Sequence, residues 1–118
     1  MEEYRHLPEF ESHEAAASLR VFIGESDRWN RKPLYEAIML RARERGLAGC
    51  TVARAIAGYG ANSRIRTVKV LRLSMDLPIV VEIIDSLAKI AEFLPELHEM
   101  VKDGLITWEA QATDYPST

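Results

Sequence analysis

Ile79-Val80-Val81-Glu82-Ile83-Ile84 constrains the fold of this chain more than any other stretch. Five of its six residues are apolar, and the turn signal Asp76-Leu77-Pro78 precedes it. A short unbroken apolar run reads as a central strand buried on both faces, with a neighbour on each side. The flanking segments supply those neighbours. Leu19, Val21 and Ile23 alternate with Arg20 and Phe22 before Gly24, which is period two. Thr51 to Ala57 forms another strand, with Val52 and Ile56 on one side and Ala53, Ala55 and Ala57 on the other. Leu105 to Thr113 alternates again and turns Ile106, Trp108, Ala110 and Ala112 inward.

Two helical patterns separate these strands. Leu34, Ala37, Ile38 and Ala42 form one stripe behind Pro33, and Gly46 ends it. Leu87, Ile90, Ala91, Leu94, Leu97 and Val101 form the second, which Asp85 or Ser86 can cap and which Pro95 should kink or restart. The order is strand, helix, strand, strand, helix, strand. It predicts an α+β ferredoxin-like βαββαβ fold, a four-stranded antiparallel sheet with two helices on one face. The other face would then be bare in a monomer and expose residues such as Phe22 and Ile84, which argues for oligomerisation through the sheet.

At 118 residues the chain is one domain. Residues 1–17 read as a loosely held acidic arm with a short helical turn at 14–17, residues 18–113 as the domain and 114–118 as a tail. No apolar run reaches the roughly 18 to 20 residues of a membrane span, and the acidic start is unlike a targeting segment. Cys50 is the only cysteine, so an internal disulfide is excluded and a cytoplasmic setting is expected. No His lies near it in sequence, which makes Cys50 a buried strand residue rather than a nucleophile.

The net charge of −3 suggests neither nucleic-acid binding nor membrane insertion. Its distribution is uneven. From Arg28 to Arg72 there are eleven Lys/Arg and two acids; elsewhere there are four Lys/Arg and sixteen Asp/Glu. Gly58-Tyr59-Gly60 opens fifteen residues that carry Arg64, Arg66, Lys69 and Arg72 and no carboxylate. Glycine lets a ligand approach the main chain, and arginine favours phosphate. An ordinary basic hairpin fits the same spacing. Trp29, among Asp27, Arg28 and Arg31, covers a subunit edge or stacks on a base. Glu82, if buried, pairs with Arg20 or Arg54.

The ordered pieces Leu19 to Glu25, Pro33 to Ala37, Gly46 to Val52, Gly58-Tyr59-Gly60, Leu73-Ser74 and Asp76 to Ile79 resemble the uncharacterised bacterial and archaeal branch of the nitrogen regulatory PII-like proteins. The resemblance covers residues 18–112. It implies a homotrimer, adenine nucleotide bound in clefts between subunits, and a regulatory loop, here 61–74, that moves and docks on a protein target in signal transduction. Carried over, Gly58, Tyr59 and Gly60 line the cleft at the base of that loop, and Lys102, Asp103 and Gly104 take the place of the second phosphate loop. By their own chemistry the backbone N–H groups from Gly58 to Ala61, with Arg64 or Arg66 and Lys102 from a neighbouring subunit, are expected to hold the phosphate. Leu105 to Thr118 lacks Lys and Arg, so the basic C-terminal strand of PII proteins is missing. AMP or ADP therefore fits better than ATP. No cofactor is required and no enzymatic activity is implied. The alternatives are a metal-responsive trimer of the copper-tolerance type, for which His6, His13, His98 and Cys50 are poorly spaced, and a small ferredoxin-like enzyme, for which Glu82 is the one candidate carboxylate.

Overall fold

The computed structural model describes residues 15–59, 65–67 (backbone only) and 76–113. Strand β1 spans Ala16–Gly24, the short strands β2 and β3 are Arg28–Trp29 and Lys32–Pro33, and helix α1 is Leu34–Glu44. Then come β4 (Gly49–Arg54), β5 (Ala57–Tyr59), β6 (Ile65–Thr67), β7 (Pro78–Ser86), α2 (Leu87–Met100) and β8 (Leu105–Gln111). The main sheet has the order β4-β7-β1-β8, and every pairing is antiparallel. This is the ferredoxin-like arrangement, with β7 and β1 central and β4 and β8 at the edges.

Register divides the sheet into two faces. Leu19, Val21 and Ile23 lie opposite Ile83, Val81 and Ile79. All six are buried and meet Leu34, Ile38 and Ala42 of α1 and Ile90, Phe93 and Leu97 of α2. The α1 stripe is the predicted one. That of α2 is rotated: Phe93 and Met100 are buried, whereas Leu87 and Ala91 are exposed. The helix runs unbroken through Pro95, because Pro95 and Ala91 both face solvent and the unmade backbone bond is lost on the wet side. The Ser86 hydroxyl accepts from the Lys89 N–H at 3.3 Å and caps the helix. At the end of α1, Gly46 takes φ +71°, donating to the Arg43 carbonyl at 3.0 Å while Leu47 donates to that of Ala42 at 3.1 Å. This left-handed stop seals two orphan carbonyls.

Several expectations are corrected. Ala16 and Ala17 belong to β1 rather than to a helical turn. The second strand begins at Gly49 and ends at Arg54, leaving Ile56 exposed. Trp108 pairs with Leu19 on the helix side, yet remains 58 % exposed. The face was right and the burial wrong: the helices pack over β1, β7 and the edge strand β4, and leave the other edge, β8, largely uncovered. The hairpin β2–β3 was not foreseen. It turns on Asn30 (φ 48°) and Arg31 (φ 70°), both left-handed, as a two-residue turn between paired strands demands. Trp29 is half-buried against the core.

The face away from the helices carries Phe22 at 40 % and Leu105 at 55 % exposure, with half-buried Val80 and Ile84. At its centre Arg20 binds Glu82 at 2.9 Å and Glu109 at 3.0 Å, and the Ser18 hydroxyl donates to Glu82 at 3.2 Å. Among the described residues no helix is long and apolar enough to cross a membrane.

Candidate functional site

One end of the sheet gathers the C-termini of β1 and β4 and the N-termini of β7 and β8. Here the hairpin β5–β6 leaves the sheet, with Gly58 opposite Arg66 and Tyr59 opposite Ile65. A Cβ on Gly58 would come 3.2 Å from the Pro78 ring, tighter than ordinary contact. Gly58 thus lets the hairpin cross close over the start of β7, where a larger residue would have to push the Pro78 ring by a few tenths of an ångström. Tyr59 is exposed beside it. Gly60, Ala61 and Arg64 lie outside the described residues, as does most of segment 61–74, and only the backbone of Arg66 is described.

The second predicted element, Lys102-Asp103-Gly104, is exposed at the same end. A Cβ on Gly104 would stand 2.8 Å from the Phe22 carbonyl oxygen and 2.9 Å from both Ile23 Cγ2 and Val101 Cγ1. Close packing alone thus requires glycine there. The loop leads into β8, whereas Gly58 follows β4, so the two lie beside opposite edges of the sheet. Both nevertheless pack on the central strands, Gly58 against Pro78 at the start of β7 and Gly104 against Phe22 and Ile23 of β1, and these two strands are paired neighbours. One chain thus places Gly58-Tyr59 and Lys102-Gly104 at a common end of the sheet.

Between these loops the chain is knotted tightly to itself by hydrogen bonds. The Glu25 N–H donates to the Leu77 carbonyl at 2.8 Å, and the Leu77 N–H donates to Glu25 Oε1 at 3.4 Å. The other carboxylate oxygen of Glu25 accepts from Arg54 Nη1 at 2.9 Å. The Ala55 N–H donates to the Pro78 carbonyl at 2.9 Å, and the Ser26 N–H to Asp76 Oδ1 at 3.0 Å. The end of β1, the end of β4 and the start of β7 are thereby fastened together beside the glycine hairpin. Sequence reasoning named Arg54 only as a partner for Glu82. The structure gives Glu82 to Arg20 and Arg54 to Glu25.

Other polar groups have structural partners. Glu96 on α2 binds Arg45 at 2.5 Å and Arg41 at 3.1 Å, and the Arg45 hydrogen bond leads in lowering its pKa to about 2. Part of the basic excess on α1 is thus neutralised within the molecule. Cys50 is half-buried in β4, and desolvation raises its pKa, which keeps it a thiol. A hollow of about 190 Å³ lies between the helices, lined by Arg45, Leu47, Lys89, Glu92, Phe93 and Glu96. It is remote from the glycine hairpin, and its Arg45 is already held by Glu96. Among the described residues no three His, Cys, Asp or Glu side chains converge as a metal cluster.

A sequence profile of the family DUF190, described as Uncharacterized ACR, matches residues 16–112. A UPF0166 protein of Aquifex aeolicus (strain VF5) is 50 % identical over 91 residues, 77 % of this chain and 86 % of the relative. The UPF0166 protein MJ1524 of Methanocaldococcus jannaschii is 34 % identical over 92 residues, 77 % of this chain and 84 % of that one. Among solved structures, CPII, a nitrogen regulatory PII-like protein from Thiomonas intermedia K12 bound to ADP, AMP and bicarbonate, superposes with a TM-score of 0.56. The match covers 82 % of this chain and 86 % of CPII at 13 % identity, which speaks to the fold alone. With a PII-like sheet in place, the profile match from the first strand past the last and relatives 50 % and 34 % identical show that this chain belongs to the DUF190/UPF0166 family.

Proposed function

We propose that this protein is a non-enzymatic, PII-like regulatory trimer. It binds an adenine nucleotide or a similar phosphate-bearing metabolite between subunits and reports occupancy to a protein target through the basic segment 61–74. The observation that carries this reading is the pairing of Gly58 with Arg66 at one end of a PII-like sheet. That pairing sets a close-approach glycine beside the run bearing four cations and no acid. The apolar residues on the open sheet face support assembly, since Phe22 and Leu105 meet water in a single chain. Assembly would also bring a neighbour's loop to the glycine hairpin and make the cleft an intersubunit one. The reporter responds only if the ligand prefers one of its states.

Calorimetry with AMP, ADP, ATP and cyclic nucleotides tests the reading. Binding should fall by about 1.5–3 kcal/mol in Arg64→Ala, with a smaller loss in Arg64→Lys, because lysine cannot grip phosphate with a planar fork. Gly60→Val should abolish binding and leave the oligomer intact. Absence of any binding below millimolar nucleotide, or binding indifferent to both changes, would reject the proposed site.

A further inference from the structure

Arg54 closes β4 on the edge of the sheet, and its side chain is 53 % exposed. The ion pair with Glu25 engages Nη1, one nitrogen of a guanidinium that carries five donor N–H groups. The Glu25 carboxylate is divided between two donors. Its Oε2 sits at 2.9 Å from Arg54, whereas Oε1 reaches the Leu77 N–H only at 3.4 Å, long for a charge-assisted bond. The carboxylate is thus held more closely by the arginine than by the amide. Ala55, next in sequence, donates to the Pro78 carbonyl, and Gly58 packs on the Pro78 ring, so Arg54 stands at the root of the glycine hairpin.

We propose that Arg54 is a phosphate-gripping residue of the cleft and that Glu25 is its counter-ion in the unliganded protein, so that occupancy is felt at the Leu77 amide. This rests on the nucleotide reading above and adds a residue that the glycine motif did not indicate. A phosphate offers a guanidinium a bidentate, more highly charged partner than one carboxylate oxygen. When Arg54 turns to phosphate, Glu25 is released to close its long bond with Leu77, the residue that opens into β7. Glu25 is a positioning residue in this scheme, and Arg54 touches the ligand.

The test combines calorimetry with amide NMR on the intact chain. Wild type should bind AMP or ADP and shift the Leu77 amide signal. Arg54→Ala should weaken binding about tenfold or more and abolish that shift, and Arg54→Lys should recover part of the affinity. Glu25→Gln should tighten binding roughly two- to fivefold, the worth of a partly exposed ion pair that no longer competes. Melting curves confirm that each variant folds. Nucleotide binding that survives Arg54→Ala, or that weakens in Glu25→Gln, overturns this inference while the nucleotide reading stands. If no nucleotide binds, pyrophosphate is the probe. A Leu77 shift in wild type but not in Arg54→Ala upholds the anion site without the nucleotide, and no shift overturns it.

Discussion

At the scale of single residues, Gly104 is required by close packing before any ligand is considered. Gly104 faces a backbone oxygen that a Cβ would approach to 2.8 Å. Backbone cannot step aside as a flexible side chain can, so Gly104→Ala should cost about 1–3 kcal/mol and lower the midpoint in a urea titration. An unchanged midpoint would mean that the loop 102–104 gives way easily, leaving the glycine to be explained by a ligand. Sequence alone marked Gly104 through family resemblance and could not separate these meanings, because the clash comes from Phe22, eighty-two positions away. The Arg54–Glu25 pair was illegible for a related reason: either arginine could have served Glu82, and only the register puts Arg20 across from it.

At the scale of elements, the two helices are joined through Glu96, which takes Arg41 and Arg45 from the last turns of α1. Its pKa of about 2 in the fold lies below the ordinary 4.5. A depressed carboxylate stabilises the fold fully above its unfolded value, and the contribution drains away as pH falls from about 4.5 through about 2. Discounted for solvent screening at an accessible site, the effect should be at most about 1 kcal/mol. Thermal unfolding between pH 6 and pH 2 should show Glu96→Gln losing less stability on acidification than wild type; parallel curves would contradict the pairing. Element type and order were readable because period two and period 3.6 differ plainly in β1 and α1. The ends were less so. Strand β4 stops at Arg54 because the chain turns off to form β5, and no local residue announces that departure. Trp108 was misjudged because alternation reveals which face a residue takes but not whether a helix covers that part of the sheet.

For the whole molecule, the open sheet face combines apolar Phe22, Leu105, Val80 and Ile84 with the buttressed trio Arg20, Glu82 and Glu109. Phe22→Asp should convert the proposed trimer into monomers in light scattering at micromolar concentration and leave the circular dichroism spectrum intact, since Phe22 lies outside the helix-side core. Wild type already monomeric at that concentration would remove the assembly claim and weaken the shared cleft with it. The fastening of Glu25, Ala55, Leu77 and Pro78 has a wider consequence. It closes the fold at the two points where the chain departs after β4 and returns before β7. Whatever runs between them joins ends that are already held together, and added length there costs only a slowly growing loop entropy. The domain should therefore behave as a socket that accepts interchangeable inserts: exchanging 61–74 for the matching segment of a UPF0166 relative should keep the melting temperature within a few degrees. With its two ends anchored in the core, the sequence between them is free to vary without unfolding the sheet that carries it.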